Sequence, residues 1–364
     1  MISDDLKYWN ALNQNLRIGA RRFKKLYTHF ETMEQVWFAD SLELSKAGLE
    51  DKVIDYILVK RPTISVDSEM EKLEKENIHI ITIKDKAYPK LLKEIYDPPA
   101  LLYVRGELKE QDEFAISVVG TRKISQYGKQ VIPDIVHELA SNKITIISGL
   151  ALGADTFAHQ AAIAASGRTI AVLGSGLDHQ HIYPYCNKSL SEIVSQHGAV
   201  ISEYPINTLP LKQHFPARNR IVSGMSLGIL VIEAPSDSGA LITAKFGLEH
   251  NRDIFAIPGS IYSQNSIGPN NLIKQGAKLI TCAQDILDEL NLSLATSYQQ
   301  TKEIVPESKE EEILLKIITK EPVHIDKIVQ QSKMPSSQVS ATLTMMEMKG
   351  KVRNLGAMNY VLAR

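Results

Sequence analysis

The sequence predicts an α/β protein: a doubly wound, mostly parallel sheet, flanked by a small helical domain and a C-terminal winged helix. Three observations lead there. From residue 114 to about 290, short apolar runs alternate with helical patterns, the signature of consecutive βαβ units. The apolar runs carry almost no polar residues, as strands buried on both faces require. Residues 309–364 then read as three helices and a hairpin, which is the winged-helix pattern.

Taken in order, residues 1–65 form the first domain. "LRIGARRFKKLYTHFETMEQVWFADSLELSKAGL" has apolar residues at helical spacing, with Gly19 and Gly48 as punctuation. Between Asp5 and Glu31 every Lys, Arg, Asp or Glu is cationic: Lys7, Arg17, Arg21, Arg22, Lys24 and Lys25. The pattern is similar to a helix-hairpin-helix or SAM-like module. A solvated basic face accounts for the charges; phosphate contact is the sharper alternative.

Residues 66–295 form the core. "IHIITI" predicts a strand, and "YPKLLKEIYDPPALLYVRG" an irregular lead-in broken at Pro98 and Pro99. The strands "AISVVG", "KITIISG", "TIAVLGS", "AVISEYP", "LGILVIEAP" and "DIFAIPGS" follow. Pro133 inside the first core helix predicts a kink or a later helix start. Residues 296–308 are polar, then acidic, and read as a linker. The winged helix occupies 309–364, its hairpin turning near Gly356.

Composition narrows the function classes. The 364 residues carry a formal net charge of -1, which argues against a uniformly basic nucleic-acid binder but allows a local basic groove. Two cysteines, Cys186 and Cys282, form no disulfide framework or zinc pattern. The acidic, polar N-terminus is no signal peptide, and no apolar run approaches a membrane span. A reducing cytoplasm is the expected compartment.

Ligands of open α/β sheets bind beyond the carboxyl ends of the strands, and the unusual residues gather there. "VVGTRKIS" supplies Gly120, Thr121, Arg122 and Lys123. Gly120 allows close approach, the next helix start offers N–H groups to a phosphate, and Arg122 can grip one with two N–H bonds. "SGLALGADTFAH" supplies Gly149 and Gly153, with Asp155 as a candidate cap. Neither stretch has dinucleotide or Walker spacing. Asp178, His179 and His181 hint at metal, but no further ligand completes a set, so an Asx-type turn with surface imidazoles is the better reading.

"LPLKQHFPARNRIVSG" reads as a long loop stiffened by Pro210 and Pro216. Its Lys212, Phe215, Arg218 and Arg220 lie in a stretch free of acids from Glu203 to Glu233. Cations beside an aromatic ring suit single-stranded nucleic acid: cations follow the backbone, and a ring stacks on a base. A ring plugging the loop against the sheet is the alternative for Phe215. Arg218 and Arg220 stand two apart, so on a helix they diverge, one toward phosphate and one bracing the fold. Farther on, Ser238 and Gly239 can approach a ligand, and Lys245 follows about two turns along the next helix. No catalytic constellation, metal set or cofactor fingerprint is expected.

These motifs together resemble the DNA-processing protein A family, also called DprA or Smf. The text that carries the resemblance includes "YPKLLKEIYDPPALLYVRG", "VVGTRKISQYG", "ISGLALGADTFAH", "HFPARNRIVSG", "VIEAPSDSGALITAKFGLEHNRDIFAIPG" and "GPNNLIKQGA". The resemblance implies an extended Rossmann fold that binds single-stranded DNA and forms a homodimer through that core. It also implies loading of the RecA recombinase onto incoming DNA during natural transformation, without enzymatic turnover. Arg122 matches the family's DNA-binding arginine. Lys212 and Phe215 match its Lys-x-x-Phe pair, and Arg218, Asn219 and Arg220 its Arg-Asn-Arg segment. The chain departs from the family at "GLALGAD", where Leu152 replaces a common cation and Ala154 an isoleucine. In the winged helix, "PSSQVSATLTMMEMKG" carries a single basic residue, Lys349, so partner binding or packing is as well supported as duplex reading. The competing reading is a nucleotide-binding or phosphoribohydrolase enzyme of the LOG type. Such enzymes use a Pro-Gly-Gly-x-Gly-Thr loop, and "EAPSDSGALITA" lacks its glycine pair.

Overall fold

The computed structural model describes residues 5–15, 17–291, 308–318, 323–348, 351–354, 356 and 358–362. The linker expected at 296–308 lies, except for Ser308, outside the described residues, and so does Lys349. Contacts divide the chain into two units, Met1–Ile286 and Leu287–Arg364.

In the first unit, six helices precede the sheet: α1 (Leu6–Asn13), α2 (Ala20–His29), α3 (Met33–Phe38), α4 (Ser41–Lys46), α5 (Asp51–Lys60) and α6 (Val66–Lys75). Trp9 stacks on Phe23 with centroids 6.0 Å apart. Asp40 and Glu43 form a reciprocal capping box at the start of α4. Two asparagines of α1 tie this region to the sheet. Asn10 Oδ1 accepts from the buried Tyr103 hydroxyl at 2.8 Å, and Asn13 donates to the Glu203 carbonyl at 3.0 Å.

The sheet has nine strands: β1 (His79–Thr82), β2 (Leu101–Gly106), β3 (Ala115–Val119), β4 (Thr145–Ser148), β5 (Thr169–Leu173), β6 (Gly198–Ser202), β7 (Gly228–Val231), β8 (Asp253–Ala256) and β9 (Lys278–Leu279). Their order is β1-β2-β6-β5-β4-β3-β7-β8-β9. Strands β3 to β9 pair in parallel, and β1 and β2 close one edge antiparallel. The fold class read from the sequence is therefore the one observed. One stretch differs: the lead-in expected to be irregular holds a one-turn helix, α7 (Lys90–Lys93), and the buried strand β2. Pro98 and Pro99 break the chain before β2; beyond them the apolar run Leu101–Val104 pairs with β1, and its Tyr103 and Val104 pair with β6 as well.

Helices α8 (Gln126–Ser141), α9 (Ala154–Ala164), α10 (Lys188–His197), α11 (His214–Gly224), α12 (Gly239–Glu249), α13 (Ile267–Lys274) and α14 (Ala283–Glu289) accompany the strands. Helix α8 begins early, with Ser125 accepting from the Gly128 N–H, and contains Pro133 within it. Helix α11 replaces most of the loop expected around Phe215. Pro216 is its third residue, and a proline there loses no bond because the first N–H groups of a helix have no partner.

The chain leaves β3 toward β4, β5 and β6, then returns to place β7 on the other side of β3. Loops after β3 and β7 thus diverge and open a crevice at the switch point.

The second unit has helices at Lys309–Ile317, Ile325–Ser332 and Ser336–Met348, and the hairpin of β11 (Val352–Asn354) and β12 (Asn359–Leu362). A short strand, β10 (Val323–His324), pairs with β12 and completes the wing. Leu314, Ile328, Val339, Leu343 and Met346 form its core. Gly356 turns the hairpin at φ 95°, where a glycine meets no Cβ penalty.

His159 of α9 is fully buried beside Thr169 Oγ1, 2.7 Å away. Burial first, and then the Arg218 charge, hold its pKa down to about 3. The unfolded chain takes up this proton near pH 6.5, while the folded chain refuses it until about pH 3. The contribution is therefore complete above pH 6.5 and is lost as pH falls. We expect urea-unfolding free energy to fall between pH 7.5 and about 5.5, and His159→Gln to flatten that slope by up to about 1.4 kcal/mol per pH unit. An unchanged slope in the variant counts against this assignment. His79 and His250, also lowered mainly by burial, keep their share in both proteins.

Candidate nucleic-acid interface

The crevice is a cavity of about 650 Å³ at the carboxyl ends of β3, β4 and β7. It brings together Gly120, Thr121, Arg122, Gly149, Lys212, Phe215, Arg218, Asn219, Ser238 and Gly239. Lys123, Arg220 and Lys245 are not among the residues that line it.

The loop after β3 is shaped from within. The Glu233 carboxylate, at the tip of β7, accepts from the Ser125 N–H at 2.9 Å and the Ser125 hydroxyl at 2.5 Å. The Glu233 carbonyl accepts from the Thr121 N–H at 2.6 Å. The start of α8, which the sequence offered to a phosphate, is thus occupied by the protein's own carboxylate. The helix start that faces the cavity is that of α12, with Ser238, Gly239 and Ala240 on the lining. The Ser238 N–H donates to the Pro235 carbonyl at 3.0 Å and the Ala240 N–H to the Ser238 hydroxyl at 3.3 Å. A Cβ on Gly239 would meet nothing within 4 Å, so this glycine leaves the positive end of the helix accessible to an anion.

The loop after β4 is held by Asp155. It is not a cap for α9: its carboxylate reaches back to the N–H groups of Gly149 at 3.0 Å and Ala151 at 3.2 Å. Gly149 does give close approach, but to a side chain of the protein. A Cβ there would lie 2.4 Å from the Arg218 guanidinium. Gly153 has φ +76°, and a Cβ on it would strike the Thr121 carbonyl at 2.4 Å.

Helix α11 separates the two arginines, as their spacing requires. Arg218 is 5% exposed and donates to the carbonyls of Gly149, at 2.7 Å, and Val172. Burial pulls its pKa down to about 10, countered by Asp155, so it stays charged at neutral pH. Burial pushes the Asp155 carboxyl upward, with Arg218 opposing. Arg220 turns away and grips Glu203 with two bonds, at 3.0 and 2.6 Å, and Asp97 with one at 3.3 Å. Asn219 links α11 to the start of α12 through the Gly239 carbonyl at 3.3 Å.

Four of the predicted cations remain outward. Arg122, Lys123, Lys212 and Lys245 are exposed and make no ion pair among the described residues, and of these Arg122 and Lys212 line the crevice. The Arg122 guanidinium lies 5.6 Å over the half-buried Phe215 ring. A second ring that the sequence reading passed over, Tyr183, sits 5.7 Å from Phe215. Its signal was an aromatic beside a proline in the polar loop beyond β5, where only Asp178 and the histidines drew notice. Those residues brace the loop: Asp178 pairs with His181 and accepts from the Asn207 N–H at 2.7 Å.

A doubly wound α/β protein with a basic, aromatic-lined crevice at its switch point, and a winged helix as a second unit, is the class these features define. The chain belongs to the DNA recombination-mediator protein A family, whose model matches residues 79–291. A DprA winged helix domain model matches 299–358. The protein Smf of Synechocystis is 34% identical and covers 99% of both chains. The DNA processing protein DprA of Bacillus subtilis is 41% identical over 70% of this chain and 88% of its own. In structure, the X-ray model of DNA processing protein A from Streptococcus pneumoniae aligns with a TM-score of 0.64 and 37% identity, over 78% of this chain and 96% of that one. DNA processing protein A from Helicobacter pylori, whose single-stranded DNA binding mode has been described, aligns with a TM-score of 0.53 and 31% identity, over 59% and 97%.

Arg218→Ala leaves two carbonyls and Asp155 unmatched in the interior. We expect it to cost about 3–5 kcal/mol in chemical denaturation, whereas Arg122→Ala changes stability by less than about 0.5 kcal/mol. Equal effects would show that the two arginines do not divide the work in this way.

Proposed function

We propose that this protein binds single-stranded DNA in the crevice, without turnover, and hands the strand to the RecA recombinase as a mediator of recombination during natural transformation. The single observation that carries the binding role is the unpaired Arg122 stacked over Phe215, with Lys212 beside them on the same cavity. Arg122 occupies the ring face that a base would take. A phosphate that draws Arg122 outward therefore uncovers the ring for stacking, so charge capture and base contact occur together. The start of α12 adds a positive dipole end. Nothing in this arrangement reads a base edge, so sequence preference should be weak.

Family membership supports the recombinase hand-off, and the relative from Helicobacter pylori supports the choice of single strands. The same family reading makes the protein a homodimer through its α/β core. A nucleoside-cleaving enzyme fits less well, because the Glu233 carboxylate is engaged by Ser125 and Asn265.

Fluorescence anisotropy with labelled oligo-dT at two salt concentrations tests the binding role. Affinity should fall steeply with salt, and Arg122→Ala and Lys212→Ala should each lower the log–log slope by about 0.7. Phe215→Ala should cost about 1–3 kcal/mol. Binding that ignores salt and tolerates all three substitutions sinks the proposal, as does release of free base from a nucleoside monophosphate. For the hand-off, the protein should speed nucleation of recombinase filaments on single strands.

A further inference from the structure

The N-terminal helices carry a second cluster of the same chemistry, well away from Arg122 in sequence. Helix α2 buries Phe23 and Leu26, and its outer positions Arg21, Lys24, Lys25 and Thr28 are all exposed. Their spacing of three and four places them on one face. Across from them Tyr96 is 77% exposed, and the Arg21 guanidinium lies 4.7 Å over its ring. A guanidinium over an accessible aromatic therefore occurs both here and at Arg122–Phe215.

The acids nearby are already matched. Glu50 takes Arg22 at 2.8 Å, while Glu203 and Asp97 take Arg220 at 2.6 and 3.3 Å. Lys25 donates to the Gly48 carbonyl and makes no ion pair among the described residues, though its charge is felt by Glu50. Arg21 and Lys24 make no ion pair among the described residues. The patch is cationic as it stands.

It also reaches the start of α11, on the other side of that first turn from the crevice. The patch lines a depression of about 520 Å³. Through Arg21 and Lys25 this shares its wall with a larger cavity of about 860 Å³, whose far wall includes Gln213, His214 and Ala217. Those residues alternate along α11 and its lead-in with Lys212, Phe215 and Pro216, which line the crevice. One turn of chain thus separates the end of the crevice from the cavity that leads to α2.

We propose that the α2 face and Tyr96 form a second contact for the same single-stranded DNA. A strand leaving the crevice crosses the start of α11 and is gripped by Arg21, Lys24 and Lys25, with a base stacked on Tyr96. The proposal rests on the reading of the crevice given above. A phosphodiester chain fits better than an acidic protein segment, because the cations alternate with a ring that a base can use.

Oligo-dT of about 6 nucleotides, enough for the crevice, and of about 30, enough for both contacts, separate the alternatives. In the full chain, Arg21→Ala with Lys24→Ala should leave binding of the short oligomer unchanged. It should weaken the long one about threefold to tenfold and lower its salt slope by about 1.4, at 0.7 for each phosphate contact. Tyr96→Ala should weaken the long oligomer without changing that slope. Lys212→Ala should weaken both lengths. If the double variant binds both lengths as the parent does, or loses both equally, the second contact does not exist. If the parent protein binds neither length, the crevice reading itself fails.

Discussion

The buried guanidinium of Arg218 is the interaction on which the site depends. It closes the carboxyl ends of β4 and β5 by donating to the Gly149 and Val172 carbonyls, and it anchors α11 over them. A charge held this deep must be matched on every side. Asp155 supplies the opposite charge and, in the same step, fixes the loop after β4 through two backbone N–H groups. The absence of a side chain at Gly149 makes the room. The floor of the crevice is therefore rigid because the cost of burying one cation has been met by groups from three separate elements.

Helix α11 converts that anchorage into two different surfaces. Phe215 and Asn219, four apart, face the crevice with Arg218 beneath them. Arg220 projects elsewhere, onto Glu203 and Asp97, and clamps the helix to the segment that follows β6 and to the lead-in before β2. A helix lets neighbouring residues do unlike work, because residues two apart point in different directions. A loop with the same residues would hold none of them in place.

The near-zero net charge does not conflict with a basic crevice. Glu233, Asp155, Glu203 and Asp97 are directed inward onto Ser125, backbone N–H groups and Arg220. Arg122, Lys212, Arg21 and Lys24 are left outward. Electrostatic attraction follows the local arrangement of charge and not its sum.

Much of this was legible in the sequence by itself. Apolar runs such as "AISVV" and "TIAVL" determined a buried parallel sheet, because only strands covered on both faces can be so uniformly apolar. The ordered motifs determined the family and brought Arg122, Lys212 and Phe215 forward as candidates. Local pattern failed where distant residues decide. Pro216 concealed α11, although a proline in a first helical turn breaks no bond. Tyr183 had no periodic signal at all. Only the tertiary structure decided that Arg218 and Arg220 face inward, that Glu233 fills the start of α8, and that α2 adjoins a cavity shared with α11. Whether a charged group faces solvent or a partner depends on residues dozens or hundreds of positions away, such as Gly149 and Asp97, and no local spacing encodes which of them it will meet.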